Sequence, residues 1–394
     1  VISSAIKNNN PELLEAKRKK LPIYKRGEML GQVVSLMKNI VVAGSHGKTT
    51  TTSLISSIFS STNIDPTIIN GGILNSNGNS ARLGKSEWCI LEADESDGSF
   101  LNVPITYSII TNIDREHMDY YRSEYNLKNS FIKFIKKTPL FGKSIICLDD
   151  KFNKDVLRKV KLKNYLTYGI NRKSNFKINN IKQTKNFSKF NLTISLPGQK
   201  KSKITNLIVP LLGLHNIRNA TAAIAVTYSI GINNKSIKKG LRNFRGVERR
   251  FNHIFTYKKS VFVDDYAHHP TEISSVLNGV KKVYMKEKIY CIFQPHRVSR
   301  LTDLRKKFTS CFKDADYLIL CPIYKAGENS KLTFDYKKFA KDIIKNSNVG
   351  LIMINNEIDL FKFVKNNIYG NNLVIGMGAG SISNWIKLLS IKLK

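Results

Sequence analysis

The segment Gly44-Ser45-His46-Gly47-Lys48-Thr49-Thr50 follows the apolar run Ile40-Val41-Val42-Ala43 and precedes a helix-forming stretch through Ile58. Strand, glycine-rich turn and helix in that order build a phosphate cradle. Glycines let backbone N–H groups approach the phosphates, and the helix N-terminus adds a positive dipole. Lys48 would reach β- and γ-phosphate oxygens, and the Thr49 hydroxyl would ligate Mg²⁺. The spacing departs from the full Walker pattern, because Val42 stands where that pattern has its first glycine. An ordinary strand–helix turn is the alternative.

Two later segments supply carboxylates and an imidazole. Leu91-Glu92-Ala93-Asp94-Glu95-Ser96-Asp97 and Thr111-Asn112-Ile113-Asp114-Arg115-Glu116-His117-Met118-Asp119 each follow an apolar run. Strand C-termini are where α/β folds bind ligands. Carboxylates plus imidazole beside a phosphate site fit one or two Mg²⁺ ions. The alternative for each segment is helix capping.

The elements that must position these groups read as α/β. Val1–Ser4 and Leu21–Tyr24 read as strands, with helices at Pro11–Lys20, capped by Asn10, and at Arg26–Met37. Buried strands follow at Ile40–Ala43, Trp88–Glu92, Tyr107–Thr111 and Ser144–Leu148. Residues 172–210 alternate with period two, which predicts antiparallel strands at a sheet edge. Helices are predicted at Asn216–Ile230 and Asn234–Asn243. From about residue 248, strands (Val261–Asp264, Tyr290–Phe293, Tyr317–Leu320, Leu351–Ile354, Leu373–Ile375) alternate with helices (272–283, 302–312, 335–346, 357–367) in a doubly wound pattern. Gly376-Met377-Gly378-Ala379-Gly380, after the last of these strands, reads as turn chemistry.

The motif set resembles the Mur ligases. It comprises the phosphate loop, Glu92-Ala-Asp-Glu-Ser-Asp, Asn112-Ile-Asp-Arg-Glu-His-Met-Asp, Leu214-His-Asn-Ile-Arg-Asn-Ala, Gly246-Val-Glu-Arg-Arg-Phe, Asp264-Asp-Tyr-Ala-His-His-Pro-Thr-Glu and Gln294-Pro-His-Arg. The resemblance runs through the whole chain in order. It implies a three-domain α/β enzyme: residues 1–38 from an N-terminal Rossmann-like UDP-binding domain, 39–247 a central P-loop ATPase domain with a parallel sheet, and 248–394 a C-terminal Rossmann-like domain for the incoming amino acid. The implied reaction is ATP-dependent amide formation through an acyl phosphate, in peptidoglycan precursor synthesis. Within the family the likeness is to the activity that joins L-alanine to UDP-N-acetylmuramate. A sister activity that attaches a peptide to the same sugar nucleotide, or an ATP-binding form without ligase activity, are the alternatives.

Carried over by position, Gly44 to Thr50 hold ATP, while Thr49, Glu92 and His117 hold Mg²⁺. Asn216 and Asn219 face adenine, Arg250 approaches the phosphates and Asp265 meets the ribose. Tyr266, His268, Arg297 and Arg300 line the amino-acid and acyl-phosphate site. Lys48, Glu92, His117, His268, Arg297 and Arg300 form the implied catalytic set. By their own types, His268-His269-Pro270 could be a helix-entry turn, and Arg297 and Arg300 a solvated helix start. Peptide-adding members of the family carry a carbamylated lysine just after the His-Met-Asp segment. Here Phe131 stands there, with Lys128 nearby, which fits the alanine-adding activity. The chain has no initiator Met and opens on the end of a strand. The glycine-rich turn that grips the UDP pyrophosphate is therefore expected upstream of Val1, and this form is expected to bind the sugar nucleotide poorly.

Composition bounds the alternatives. An apolar fraction of 42% with 10% aromatics belongs to a globular chain of two or three domains rather than a disordered one. There is no apolar run of about 18 residues, so no membrane span is expected. Cys89, Cys147, Cys291, Cys311 and Cys321 form no C-x-x-C pair and sit mostly in apolar runs, which predicts reduced, buried thiols in a cytosolic protein, and the resemblance implies the bacterial cytoplasm. The net charge of +35 raises nucleic-acid binding as a rival function. Lysine outnumbers arginine by about three to one and is spread through the chain, so nucleic acid is not an expected partner. The assembly expected is a monomer or homodimer.

Overall fold

The computed structural model describes residues 1–3, 6–73, 78–160, 164–328 and 333–393. The chain divides into two compact units. The first takes Val1–Lys182, Ser188–Pro210 and His215–Arg245, and the second takes Gln183–Phe187, Leu211–Leu214 and Gly246–Lys394.

The first unit opens with α1 (Pro11–Arg18), capped by the Asn10 side chain, and α2 (Arg26–Val33). The two N-terminal strands expected at Val1–Ser4 and Leu21–Tyr24 are absent among the described residues. Ile2 makes one isolated parallel bridge to Lys25. Leu21 and Tyr24 are about half exposed, so neither segment has the buried apolar face that would hold a strand; Ser4 lies outside the described residues. The second helix stops at Val33, short of the expected Met37.

The sheet elements of this unit are β1 (Lys38–Ala43), β2 (Thr67–Ile69), β3 (Ala81–Arg82), β4 (Trp88–Glu92), β5 (Tyr107–Ile110), β6 (Lys143–Cys147), β7 (Tyr165–Gly169), β8 (Phe176–Gln183), β9 (Ser188–Ile194) and β10 (Ser202–Val209). Helices α3 (Lys48–Phe59), α4 (Met118–Tyr121), α5 (Glu124–Lys136), α6 (Lys151–Lys159), α7 (Leu214–Ser229) and α8 (Asn234–Arg242) connect or cover them. The strand order is β10-β9-β8-β7-β6-β5-β1-β4-β2-β3. Strands β2, β4, β1, β5, β6, β7 and β8 run parallel, and β9 with β10 forms the antiparallel edge that the alternating 172–210 segment predicts. Helix α5 closes one face. Phe131 and Phe134 project into the core and meet Phe100 at ring separations of 5.3 and 5.1 Å. Such pairs add roughly 0.5–1.5 kcal/mol beyond their area burial.

The second unit holds β11 (Asn252–Tyr257), β12 (Ser260–Asp265), α9 (Pro270–Lys281), β13 (Lys288–Phe293), α10 (Val298–Asp303), α11 (Arg305–Phe308), β14 (Tyr317–Leu320), α12 (Tyr336–Ser347), β15 (Gly350–Met353), α13 (Glu357–Asn367), β16 (Asn372–Met377) and α14 (Ile382–Lys392). Its order is β11-β12-β16-β13-β14-β15, parallel except for β11 on the edge. The helix expected over 302–312 is instead α10 and α11, broken at Leu304 (φ −107°, ψ 17°). Leu301, Leu304, Phe308 and Phe312 are all buried, so one apolar face continues across the break and mimics a single helix. Of the Gly376–Gly380 run expected as a turn, Gly376 and Met377 instead complete β16, where a Cβ at Gly376 would lie 2.6 Å from Ile386; the turn begins at Gly378 (φ +145°), and a Cβ at Gly380 would lie 2.5 Å from Gln294 Oε1. All five cysteines are buried free thiols.

Candidate functional site

The parallel register places the C-terminal ends of β4 and β5 on either side of β1. The glycine loop therefore leaves β1 between the two acidic segments. Gly44 and Gly47 take φ +127° and +83°, and Gly47 forms the left-handed N-cap of α3. The β5 end braces the loop from behind. Asn112 O accepts from Ser45 N (2.9 Å), Asn112 Oδ1 from His46 N (3.0 Å), and Thr111 Oγ1 donates to His46 O (2.7 Å). His46 Nε2 lies 3.3 Å from Asp114 Oδ2, and Ser45 Oγ accepts from Asp114 N at 2.8 Å. The loop thus has a fixed backbone shape before any ligand arrives, which is the preorganisation an anion cradle needs.

Lys48 folds back over this loop. Its ammonium donates to Gly44 O (2.7 Å) and reaches Glu95 Oε1 and Oε2 at 3.0 and 2.8 Å. Glu95 is fully buried. Burial alone would lower the Lys48 pKa, but Glu95, then Glu92 and Glu116, outweigh it and raise the value, so the ammonium stays charged. Burial pushes Glu95 up to about 7, against the opposing pull of Lys48. Thr49 Oγ1 donates to Glu92 Oε1 (3.1 Å), and Glu92 Oε2 accepts from Gly71 N (2.9 Å). Thr50 is buried in the first turn of α3.

Ligand atoms of Glu95, Glu116 and His117 all lie within 4.8 Å of one another. His117 takes a left-handed backbone (φ +57°) at the start of α4, a strained conformation of the kind held at functional sites. Of the sequence-predicted cation ligands, Thr49 and Glu92 are in direct contact. His117 sits on the Glu95 side, 3.8 Å from its carboxylate. Glu95 and Glu116, which lie in the same two acidic motifs as Glu92 and His117, join them here as candidate ligands. The signal available was their place at the same two strand ends. Hard oxygen donors with one imidazole fit Mg²⁺, which takes few protein ligands and keeps several waters.

Asn219 lies against the loop: a Cβ on Gly47 would stand 2.6 Å from its Oδ1. Asn219 Nδ2 donates to Asn216 Oδ1 at 3.3 Å, so the two candidate adenine residues and the loop are one cluster. Phe131 is fully buried in the core. Lys128 is bound to Asp155 (3.0 Å) and lies 3.9 Å over the Phe152 ring. Neither joins the Glu95–Glu116–His117 group.

In the second unit, β12 and β13 both end beside β16. Tyr266 and His268 follow the first of them, and His296, Arg297 and Arg300 follow the second. The His268 ring sits 5.1 Å from Tyr266 and 6.0 Å from His296, and His296 stacks on Tyr324 at 5.7 Å. Arg300 Nη1 lies 3.2 Å from His296 Nδ1. Burial, then Arg300, His268 and Arg297, pull His296 down to about 4. Arg250 and Arg249 lie over the Tyr266 ring at 5.4 and 4.8 Å. Asp265 is buried and accepts from Phe251 N (2.9 Å) and Ala267 N (2.8 Å). Burial pushes its carboxyl up to about 6, with Arg250 opposing. Its carboxylate therefore shapes the turn that carries Tyr266. Arg297 is exposed at the N-cap of α10 and donates its N–H to Tyr324 O (2.9 Å). His269 caps α9 and Pro270 is that helix's first residue, so the helix-entry turn exists beside the His268 ring cluster. His296 and Tyr324, beyond the residues expected from the motifs, complete this cluster.

Comparison with known proteins agrees with this layout. The family model for the Mur ligase middle domain matches residues 42–227, and the model for the Mur ligase, glutamate ligase domain matches residues 249–380. The UDP-N-acetylmuramate–L-alanine ligase of Pelagibacter ubique is 66% identical over 389 residues, covering 99% of this chain and 84% of that one. The enzyme of the same name from Bartonella quintana is 39% identical, covering 99% and 82%. The crystal structure of the UDP-N-acetylmuramate–alanine ligase MurC from Thermotoga maritima superposes with a TM-score of 0.81 at 25% identity, covering 99% and 84%. With both domain models matched and the likeness running along nearly its whole length, the chain belongs to the Mur ligase family.

Proposed function

We propose that the chain is an ATP-dependent ligase that joins L-alanine to UDP-N-acetylmuramate in peptidoglycan precursor synthesis, in the bacterial cytoplasm. The observation that carries the reading is the braced glycine loop with Lys48 at its mouth, in a chain 66% identical to a ligase of that name. Residues 39–247 serve ATP, 248–394 the amino acid and 1–38 the sugar nucleotide. No helix among the described residues is long and apolar enough to cross a membrane.

In the first step a carboxylate oxygen of the muramate attacks the γ-phosphorus. The bond to the β,γ-bridging oxygen breaks, giving ADP and an acyl phosphate. The loop N–H groups and the Lys48 ammonium hold the charge that develops on the phosphoryl oxygens. Thr49, Glu92 and His117, with Glu95 and Glu116 adjoining, would hold Mg²⁺, which when bound supplies charge neutralisation at those oxygens. Asn216 and Asn219 orient the adenine, Arg250 the phosphates and Asp265 the ribose. In the second step the amine of L-alanine attacks the acyl carbon, phosphate leaves and the nitrogen gives up a proton. His268 Nδ1 lies 2.9 Å from Tyr266 O, which favours the tautomer with its proton on Nδ1 and makes Nε2 the accepting atom. Arg297 and Arg300 bind the amino-acid carboxylate, and Tyr266 flanks it.

The test is phosphate release from ATP by the purified protein with each substrate omitted in turn. Release that needs both UDP-N-acetylmuramate and L-alanine supports the reading. Release independent of both, or turnover with a tripeptide in place of L-alanine, refutes it.

A further inference from the structure

Arg297 is held in a conformation that its sequence does not favour. Its φ of +70° with ψ 133° lies outside the regions open to ordinary L-residues. Such a residue costs of order 1–3 kcal/mol and persists only where its surroundings over-determine it. Two contacts do so here, and both come from the segment after β14. Tyr324 accepts the Arg297 N–H through its carbonyl (2.9 Å) and donates its own N–H to Pro295 O (2.8 Å), making an isolated bridge with His296. The chain then reverses at once. Ala326 and Gly327 both have positive φ (+50° and +79°), and Glu328 N donates to Lys325 O at 3.0 Å. This is the geometry of a type I′ turn. It returns Glu328 to the start of α10, where Oε2 accepts from Val298 N (2.6 Å) and from Ser299 N (3.4 Å), and Oε1 accepts the Ser299 hydroxyl.

We infer that Glu328 is the positioning residue for the arginine pair, clamping the strained Arg297 turn so that Arg297 and Arg300 are aimed before the amino acid arrives. The inference rests on the proposed ligase reading and adds a residue to it. Glu328 touches no reacting atom. It acts by fixing two backbone amides, the hydroxyl between Arg297 and Arg300 and, through them, the helix that carries Arg300. A carboxylate accepting from backbone N–H groups at a helix start is among the stronger capping interactions. A mobile arginine pair lowers the occupancy of the binding-competent arrangement, and the apparent affinity falls by that fraction.

The experiment compares wild type, E328A and E328Q in steady-state phosphate release, varying L-alanine and ATP separately, with amide hydrogen exchange at residues 297–301. E328A should raise KM for L-alanine about ten- to a hundred-fold, leave KM for ATP unchanged and unprotect the Val298 amide. E328Q, which keeps an acceptor oxygen, should recover most of the affinity and the protection. A general loss of structure would move KM for ATP as well and would not be rescued, and that result overturns the assignment. So does E328A with wild-type KM for L-alanine. A wild-type protein with no alanine-dependent turnover overturns the ligase reading itself, which separates that failure from this one.

Discussion

Replacing Gly47 by Ala strikes the phosphate loop at a single atom, and Gly198 supplies the control. Both glycines have left-handed backbone, φ +83° and +72°, and both belong to the first unit. A Cβ at Gly198 meets nothing within 4 Å, whereas one at Gly47 falls 2.6 Å from Asn219 Oδ1 and 3.0 Å from its Nδ2. The left-handed conformation costs alanine about 1–2 kcal/mol relative to glycine, and that is the whole effect expected for G198A. G47A carries the same cost and must also push the Asn219 amide aside, breaking its 3.3 Å bond to Asn216. A hydrogen bond of this kind contributes about 1 kcal/mol, so G47A should lie roughly 1 kcal/mol below G198A in urea unfolding of the first unit. The functional difference should be larger. Asn219 is the proposed adenine contact, and displacing it while tilting the loop amides should raise KM for ATP about ten-fold, leaving KM for L-alanine alone. G198A should keep both constants. If G47A unfolds at the G198A midpoint and binds ATP as wild type does, the close approach of Asn219 to the loop plays no part, and the reasoning fails.

Other perturbations follow the same geometry. K48A should abolish alanine-dependent phosphate release; it also strips buried Glu95 of its partner, at a cost on the order of 3 kcal/mol. Because burial already holds Glu95 at about 7, that cost should grow as pH rises above about 7 and shrink below it, where the carboxyl is protonated in the folded state. His296, held down at about 4 against 6.5 unfolded, favours the neutral ring in the folded state, so the second unit should lose stability as pH falls from about 6.5 through 4. Discounted for the ring's partial exposure, the loss is about 1–2 kcal/mol, and H296N should flatten that slope in pH-dependent unfolding. F131K should destabilise the first unit by about 4 kcal/mol or more, because it replaces a fully buried ring with a charge in the α5 core. A folded F131K with wild-type thermal stability would contradict the placement of that side chain.

The parts of the site that were legible in the sequence are those fixed by local backbone chemistry. Glycines after an apolar strand, then Lys-Thr-Thr, dictate a loop and a helix start whatever surrounds them, and acidic runs after apolar strands mark strand C-termini. What stayed hidden depends on pairs far apart in sequence. Glu95 becomes the counter-ion of Lys48 only once β4 lies beside β1, and nothing near Glu95 distinguishes it from Glu92, Asp94 or Asp97. Glu328 lies 30 and 29 residues from the two amides it caps, and the turn at Ala326 and Gly327 brings it back. The break at Leu304 was masked for a different reason. Apolar periodicity reports which face is buried and not whether the backbone hydrogen bonds continue, so two short helices sharing a buried face read as one.

The net charge of +35 takes on a narrower meaning against this geometry. Several cations of the motifs that build the candidate sites are held by carboxylates. Lys48 pairs with Glu95, Arg218 with Asp149 at 2.7 Å, Arg249 with Asp264 at 3.3 Å and Arg250 with Glu272 at 3.9 Å. These pairs fix where each positive group points, which is what recognition of a phosphate or a carboxylate requires. The surplus therefore resides in lysines outside the pairs, most of them solvated, where charges more than about 8 Å apart are screened at physiological ionic strength. Such a field can speed the arrival of anionic substrates such as ATP and a sugar nucleotide, but it cannot choose among them. Discrimination must come from the few cations held rigid by a carboxylate, and that is why the carboxylates Glu95 and Glu328 carry more information about the chemistry than the excess of lysine does.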